Sequence, residues 1–234
     1  MKTQLNKIKE TAKLFLRLPI QLDENLHPLL CIHHPFLSSG VTCIDGELVD
    51  LISAPEKFEE YCKGIEKVID DENTDLYHVY ALLRAPYRLT FLKYCEPFLS
   101  SEDLAKLFAD AWVSTENPNQ DVNCSIRYLI KMFKRCDKKH LMTEEDYKVY
   151  EQLPETFTIY RGVAVDRNPK GISFTQNLST AKWFAHRFDR EDKKGYIQVA
   201  TANKKNVLAY FNTRDEDEIV YDNTKLQFSI YEEV

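Results

Sequence analysis

The sequence predicts an α+β protein, with a mainly helical N-terminal region followed by an antiparallel β domain. Three observations carry that expectation. Apolar residues recur at helical spacing through about position 150. After Pro154 the period shortens to two, in runs rich in Val, Ile, Phe, Tyr and Thr. A single helical pattern interrupts those runs, which segregates helices from sheet.

Taken in order, Leu5, Ile8, Ala12 and Phe15 define a first helix that stops before Pro19. Residues 20–50 read as irregular, with Pro28, Pro35, Gly40 and the turn Asp45-Gly46. Ser53-Ala54-Pro55-Glu56 has the form of a capping box and opens a helix striped by Phe58, Tyr61, Cys62, Ile65, Val68 and Ile69. Leu76, Val79, Tyr80 and Leu83 mark another helix, expected to end near Pro86. Ser101-Glu102-Asp103 starts one carrying Leu104, Leu107, Phe108, Ala111 and Trp112. The polar, turn-rich run from Val113 to Asp121 reads as a loop. Ile126, Leu129, Ile130 and Phe133 form the next helical stripe, and Thr143-Glu144-Glu145-Asp146 caps a short helix before Pro154.

Strands are expected at 156–163, 172–175, 195–201, 206–211, 217–222 and 225–231. The interrupting helix covers 177–188, with Ser179 as its cap and Trp183, Phe184 and Phe188 as core residues over the sheet. The change of period divides the chain into a helical region, 1–153, and a β domain, 154–234.

Composition narrows the function classes. A net charge of −6 argues against nonspecific grip on nucleic acid, which rests on many Lys and Arg contacts to phosphate. The basic cluster Lys131, Lys134, Arg135, Lys138, Lys139 and His140 reads as a solvated helix face and turn. No apolar run approaches the roughly 18 residues of a membrane span, and the start of the chain is amphipathic, not signal-like. Six scattered cysteines then read as reduced thiols of a cytoplasmic protein. Cys31-Ile32-His33-His34 with Cys43 lacks paired spacing on both sides, so no metal site is expected. A phosphate-binding glycine loop, a nucleophile elbow and a His-Glu-x-x-His motif are all missing.

The chemistry-bearing residues fall in the β half. Arg161 stands within the strand pattern Phe157-Thr158-Ile159-Tyr160-Arg161-Gly162-Val163, on the parity of Phe157, Ile159 and Val163. That is the covered face, where a charge is costly unless it is paired or used. Gly171-Ile172-Ser173-Phe174-Thr175 places two hydroxyls on one strand face. Glu216 and Glu218 sit at alternate positions of a segment read as extended, and so are expected to point the same way. Ile219 and Val220 follow them.

The order Tyr160-Arg161-Gly162, then Ser173 and Thr175, then Glu216-Asp217-Glu218 before an apolar pair resembles the arginine–serine–glutamate branch of the ADP-ribosyltransferase superfamily. It is closest in form to the compact members common in phages and Firmicutes, and covers about the last 80 residues. The second motif departs from the family's Ser-Thr-Ser by carrying Phe174 at its centre. The resemblance implies a split antiparallel sheet and NAD as substrate. Arg161, Gly162, Ser173 and Thr175 would then bind the dinucleotide, and Glu218 and Glu216 would be catalytic. It further implies transfer of ADP-ribose to a protein acceptor, since a glutamate at the position of Glu216 is associated in that family with arginine acceptors.

Physical chemistry is consistent with those roles. A guanidinium offers forked donors of fixed charge to a pyrophosphate. Breaking the nicotinamide–ribose bond develops an oxocarbenium-like cation, which a preorganised carboxylate stabilises more than the ground state. Glu216, one strand period from Glu218, is expected to orient or deprotonate the nucleophile, with each carboxylate raising the other's pKa. The loop 113–121 could close over a nucleotide. Two alternatives stand beside transfer: NAD glycohydrolysis at the same site, and a noncatalytic phage-associated binding protein that keeps the fold.

Overall fold

A computed structural model of the chain describes residues 1–23 and 31–231; Pro28 lies outside the described residues. The chain forms two compact units, Met1–Ser100 and Ser101–Val234. The change of period near 153 is therefore a change of secondary structure inside the second unit, whose helices pack on its own sheet.

In the first unit, α1 (Leu5–Leu16) packs on α2 (Pro55–Asp70), α3 (Leu76–Ala81) and α4 (Ala85–Cys95). Between α1 and α2 come two short antiparallel pairs, β1 (Gln21–Leu22) with β2 (Ile32–His33), and β3 (Val41–Ile44) with β4 (Glu47–Asp50). The β3–β4 hairpin turns at Asp45 and Gly46, both left-handed at φ 50° and 87°. Its strands escape the sequence pattern because none of their residues is buried and they carry no alternation. Pro86 does not end a helix; it lies in the first turn of α4, where its missing N–H has no helical partner to lose. The expected capping box also fails to form. Ala54 is the cap residue of α2, and the Ser53 hydroxyl donates to Asp50 instead.

His34, from the cysteine–histidine stretch, is fully buried. Its Nδ1 accepts from the Phe36 N–H at 3.1 Å, so Nε2 carries the proton, toward the Leu16 and Leu18 carbonyls at 3.2 and 3.1 Å. Both ring nitrogens are thus committed to backbone. Among the described residues, no group of three or more His, Cys, Asp or Glu is placed to hold a metal ion.

Burial lowers the His34 pKa below its ordinary 6.5. The unfolded chain then takes up its proton first as pH falls, so the neutral ring's contribution is complete above about 6.5 and lost below it. Thermal melts of the full chain from pH 7.5 to 5 are expected to show that decline. His34→Gln, which cannot be protonated, should flatten it; an identical decline in the variant would remove His34 as its cause.

The second unit begins with α5 (Ser101–Ser114), α6 (Ile126–Arg135), α7 (Lys138–Leu141) and α8 (Glu144–Gln152). Six antiparallel strands follow: β5 (Thr156–Val163), β6 (Ser173–Thr175), β7 (Tyr196–Asn203), β8 (Val207–Phe211), β9 (Glu218–Tyr221) and β10 (Ser229–Ile230). Their order across the sheet is β10-β7-β5-β6-β9-β8. α6 and α8 pack on β8, and an aromatic group, edge-to-face between α5 and α6 and tilted against β8, joins these helices to the sheet. Its ring centroids are 4.8 Å apart for Phe108–Phe133, 4.9 Å for Trp112–Phe133 and 6.4 Å for Phe133–Phe211. Lys138, from the basic cluster, is drawn inward to the Phe133 and Leu208 carbonyls.

α9 (Leu178–His186) lies across β5, β6 and β7. Asn177, not Ser179, caps it, accepting from the N–H groups of Ser179 and Thr180. The buried face is Ala181 and Ala185, while Trp183 and Phe188 are 58% and 41% exposed. The aromatic side chains are displaced from the core by close approach. A Cβ on Gly162 would stand 2.2 Å from the Ala181 carbonyl oxygen, so only small residues fit between this helix and β5. Among the described residues, no helix is long and apolar enough to cross a membrane.

Candidate functional site

β5 pairs with β7 over eight residues, from Thr156↔Asn203 to Val163↔Tyr196, but with β6 at Tyr160↔Thr175 alone. Beyond that rung the two strands part, and a cleft opens at the divergence. Its empty space is about 820 Å³, including the part open to solvent. Arg161, Gly162, Ser173, Thr175, Glu216 and Glu218 all line it. The register explains part of this convergence: Tyr160, Thr175, Glu218 and Phe211 form one row across four strands.

Glu218 is 8% exposed, at the first position of β9. The Trp112 indole N–H of α5 donates to its Oε1 at 3.1 Å. Burial raises the Glu218 pKa above its ordinary 4.5, and the neighbouring Glu216 charge adds to the rise. Hydrogen bonds from Ser173 and Trp112 and the charge of Arg214 pull it back down. Trp112 belongs to the expected core, yet its polar edge reaches the site. Nothing local in the sequence signals this, because the partner lies 106 residues away.

Arg161 donates through Nη1 to the Ser173 carbonyl at 2.8 Å and through Nη2 to the Asn168 carbonyl at 2.9 Å. Among the described residues it forms no ion pair with an acid of the helical region; backbone carbonyls receive the guanidinium. Gly171 makes room for it, since a Cβ there would stand 2.1 Å from Nη2. Among the described residues, Nε meets no acceptor and Oε1 of Gln198, the residue opposite Arg161 across β5–β7, meets no donor. Burial brings the Arg161 pKa down to about 10, opposed by the Glu218 charge, so it stays protonated at neutral pH.

Glu216 differs from expectation. It does not share a strand with Glu218, because β9 starts at Glu218. Glu216 sits in a turn flanked by Asp215 and Asp217, both left-handed at φ 55° and 48°. Asn212 templates that turn: its carbonyl accepts from the Asp215 N–H at 3.0 Å and its Oδ1 from the Asp217 N–H at 3.0 Å. The Tyr210 hydroxyl adds a bond to Asp217 at 2.7 Å. The turn, not strand parity, delivers Glu216 to the cleft, with its Oε2 3.1 Å from Nη2 of Arg214.

Gly162 lines the cleft, but its missing side chain serves the approach of α9. Thr175 is buried, and its hydroxyl accepts from the Asn177 N–H at 3.0 Å, fixing the entry to α9. The loop after α5 is a wall of the site. Asn119 donates from Nδ2 to the Ser173 hydroxyl at 2.9 Å and accepts at Oδ1 from the Ile172 N–H at 2.8 Å. Four arginines, 161, 167, 187 and 214, face three glutamates, 116, 216 and 218, around the cleft. That balance suits an anionic ligand with a cationic reacting centre.

Fold and site together define an α+β protein with a desolvated, hydrogen-bonded carboxylate at the parting of a sheet. Comparison with protein-family models, with curated proteins and with solved structures finds no match.

Proposed function

We propose that the second unit is a mono-ADP-ribosyltransferase, cleaving the nicotinamide–ribose bond of NAD and passing ADP-ribose to a protein acceptor. The observation that carries this reading is the convergence of Arg161, Ser173 and Glu218, from three strands, on one cleft. The parting of β5 from β6 agrees with the split sheet of that superfamily. In this reading the arginine-rich wall takes the pyrophosphate. Glu218, dry and aimed by Trp112 and Ser173, faces the nicotinamide ribose and stabilises the cation that develops as nicotinamide departs. Because these donors are fixed before the reaction, little reorganisation is needed at the transition state.

A second reading, hydrolysis of NAD at the same site, draws on the pairing of Glu216 with Arg214, which occupies the carboxylate otherwise free to orient an external acceptor. Labelled NAD separates the two. Nicotinamide release with label on macromolecules supports transfer, and release without labelling supports hydrolysis. Absence of both release and NAD binding removes the enzyme altogether.

Trp112→Phe tests the aiming of Glu218. Without the indole N–H, one interaction that lowers the Glu218 pKa is lost, so its pKa rises further. The acid limb of the pH–rate profile for nicotinamide release should move to higher pH, with activity recovering toward alkaline pH. An unshifted limb would separate Trp112 from the titrating group.

A further inference from the structure

We infer that Arg214 is an ADP-ribose acceptor within the chain itself, an automodification site held at the cleft by Glu216. The inference rests on the transferase reading above and adds the chemistry and position of one acceptor. Three features of the turn support it. Arg214 lines the cleft, its charge acts on Glu218, and its Nη2 is 3.1 Å from the Glu216 carboxylate.

The other cleft arginines are engaged differently. Arg161 is enclosed and donates to two backbone carbonyls. Arg187 pairs with Glu116 and lies within 5.4 Å of the ring centres of Trp183, Phe184 and Phe188. Arg167 lies over Phe188. The carboxylate partner of Arg214 is the residue next but one to Glu218.

A guanidinium is a poor nucleophile while fully protonated, so transfer to it needs a base at the attacking nitrogen. Glu216 Oε2 is at hydrogen-bonding distance from that nitrogen. In the step, the C1′–nicotinamide bond breaks and its electron pair leaves with neutral nicotinamide. Nη2 of Arg214 forms the new bond to C1′, and its proton passes to Glu216 and then to solvent. Holding the acceptor in the same chain replaces a bimolecular encounter by an intramolecular one. The turn can hold it because Asn212 and Tyr210 fix both left-handed aspartates.

The test uses the purified full chain and NAD labelled in the adenylate portion, with no other protein present. Nicotinamide release and protein-bound label are followed in parallel, and the label is mapped by peptide fragmentation. Label on Arg214 is expected, with a rate constant unchanged on dilution of the protein, and Arg214→Lys should reduce self-labelling by about 10-fold or more. Nicotinamide release with Arg214 unmodified overturns the inference and leaves the NAD-cleaving reading in place. A labelling rate constant that scales with protein concentration also overturns it, since the acceptor would then lie in another molecule. Without nicotinamide release, both readings fall. Mapping on the unaltered chain decides the matter even if the variant misfolds.

Discussion

Glu218→Gln is expected to lower nicotinamide release by about 10²-fold or more, the scale of losing one preorganised electrostatic stabiliser. NAD binding, followed by calorimetry, should persist, because the amide keeps an oxygen for the Trp112 N–H and removes only the charge. The same substitution should raise the thermal midpoint near neutral pH. The folded-state pKa of Glu218 is raised, so the unfolded chain ionises first, from about 4.5 upward. The contribution of the protonated carboxyl is present below that value and lost as pH rises through the folded pKa. Glutamine never ionises and escapes the loss, so the gain should vanish below about pH 4. A stable, inactive variant would show that the site is maintained at a cost to the fold. Unchanged turnover would show that the essential carboxylate is another one.

Gly162→Val should severely damage the second unit. The new Cβ would meet backbone of α9 at 2.2 Å and 2.5 Å, with Phe184 Cβ at 2.8 Å, and a helix backbone cannot rotate aside. Relief requires the helix to lift from β5, which exposes Ala181 and Ala185 and dismantles the wall that Ala181 and Phe184 give the cleft. A loss of about 3 kcal/mol is expected, at the upper end for overpacking, read from the denaturant midpoint. Gly64→Ala is the control. That glycine lies inside α2 where, among the described residues, nothing stands within 4 Å of an added Cβ, so alanine should stabilise by about 0.5–1 kcal/mol. Equal responses at the two positions would contradict the close approach of α9.

β5 was legible because its alternation is tied to burial. In β5, Phe157, Ile159 and Val163 are buried while Thr156 and Thr158 are exposed. The strand positions of Arg161, Ser173, Thr175 and Glu218 were legible in the same runs. What escaped the sequence lies where tertiary contact or backbone sign decides. Trp112 and Asn119 reach the cleft through partners 106 and 54 residues away. For Glu216, two left-handed aspartates cancel the strand parity, and the polar run Asn212-Thr213-Arg214-Asp215 is the turn signal in the sequence that marks the place. Trp183 of α9 and Phe188 just beyond it depart from the expected core because the docking distance is set by a glycine on another element.

The bond from Arg161 to the Ser173 carbonyl has a bearing on how variants of this protein can be interpreted. Past Tyr160↔Thr175 the backbone ladder between β5 and β6 ends, and this side chain does the stitching that amide groups do elsewhere in the sheet. Removing the guanidinium would unfasten the two halves of the sheet as well as any bound dinucleotide, so an inactive Arg161 variant would confound mechanical and chemical failure. Glu218, whose replacement by glutamine should leave the seam closed, is the residue at which loss of chemistry can be seen by itself.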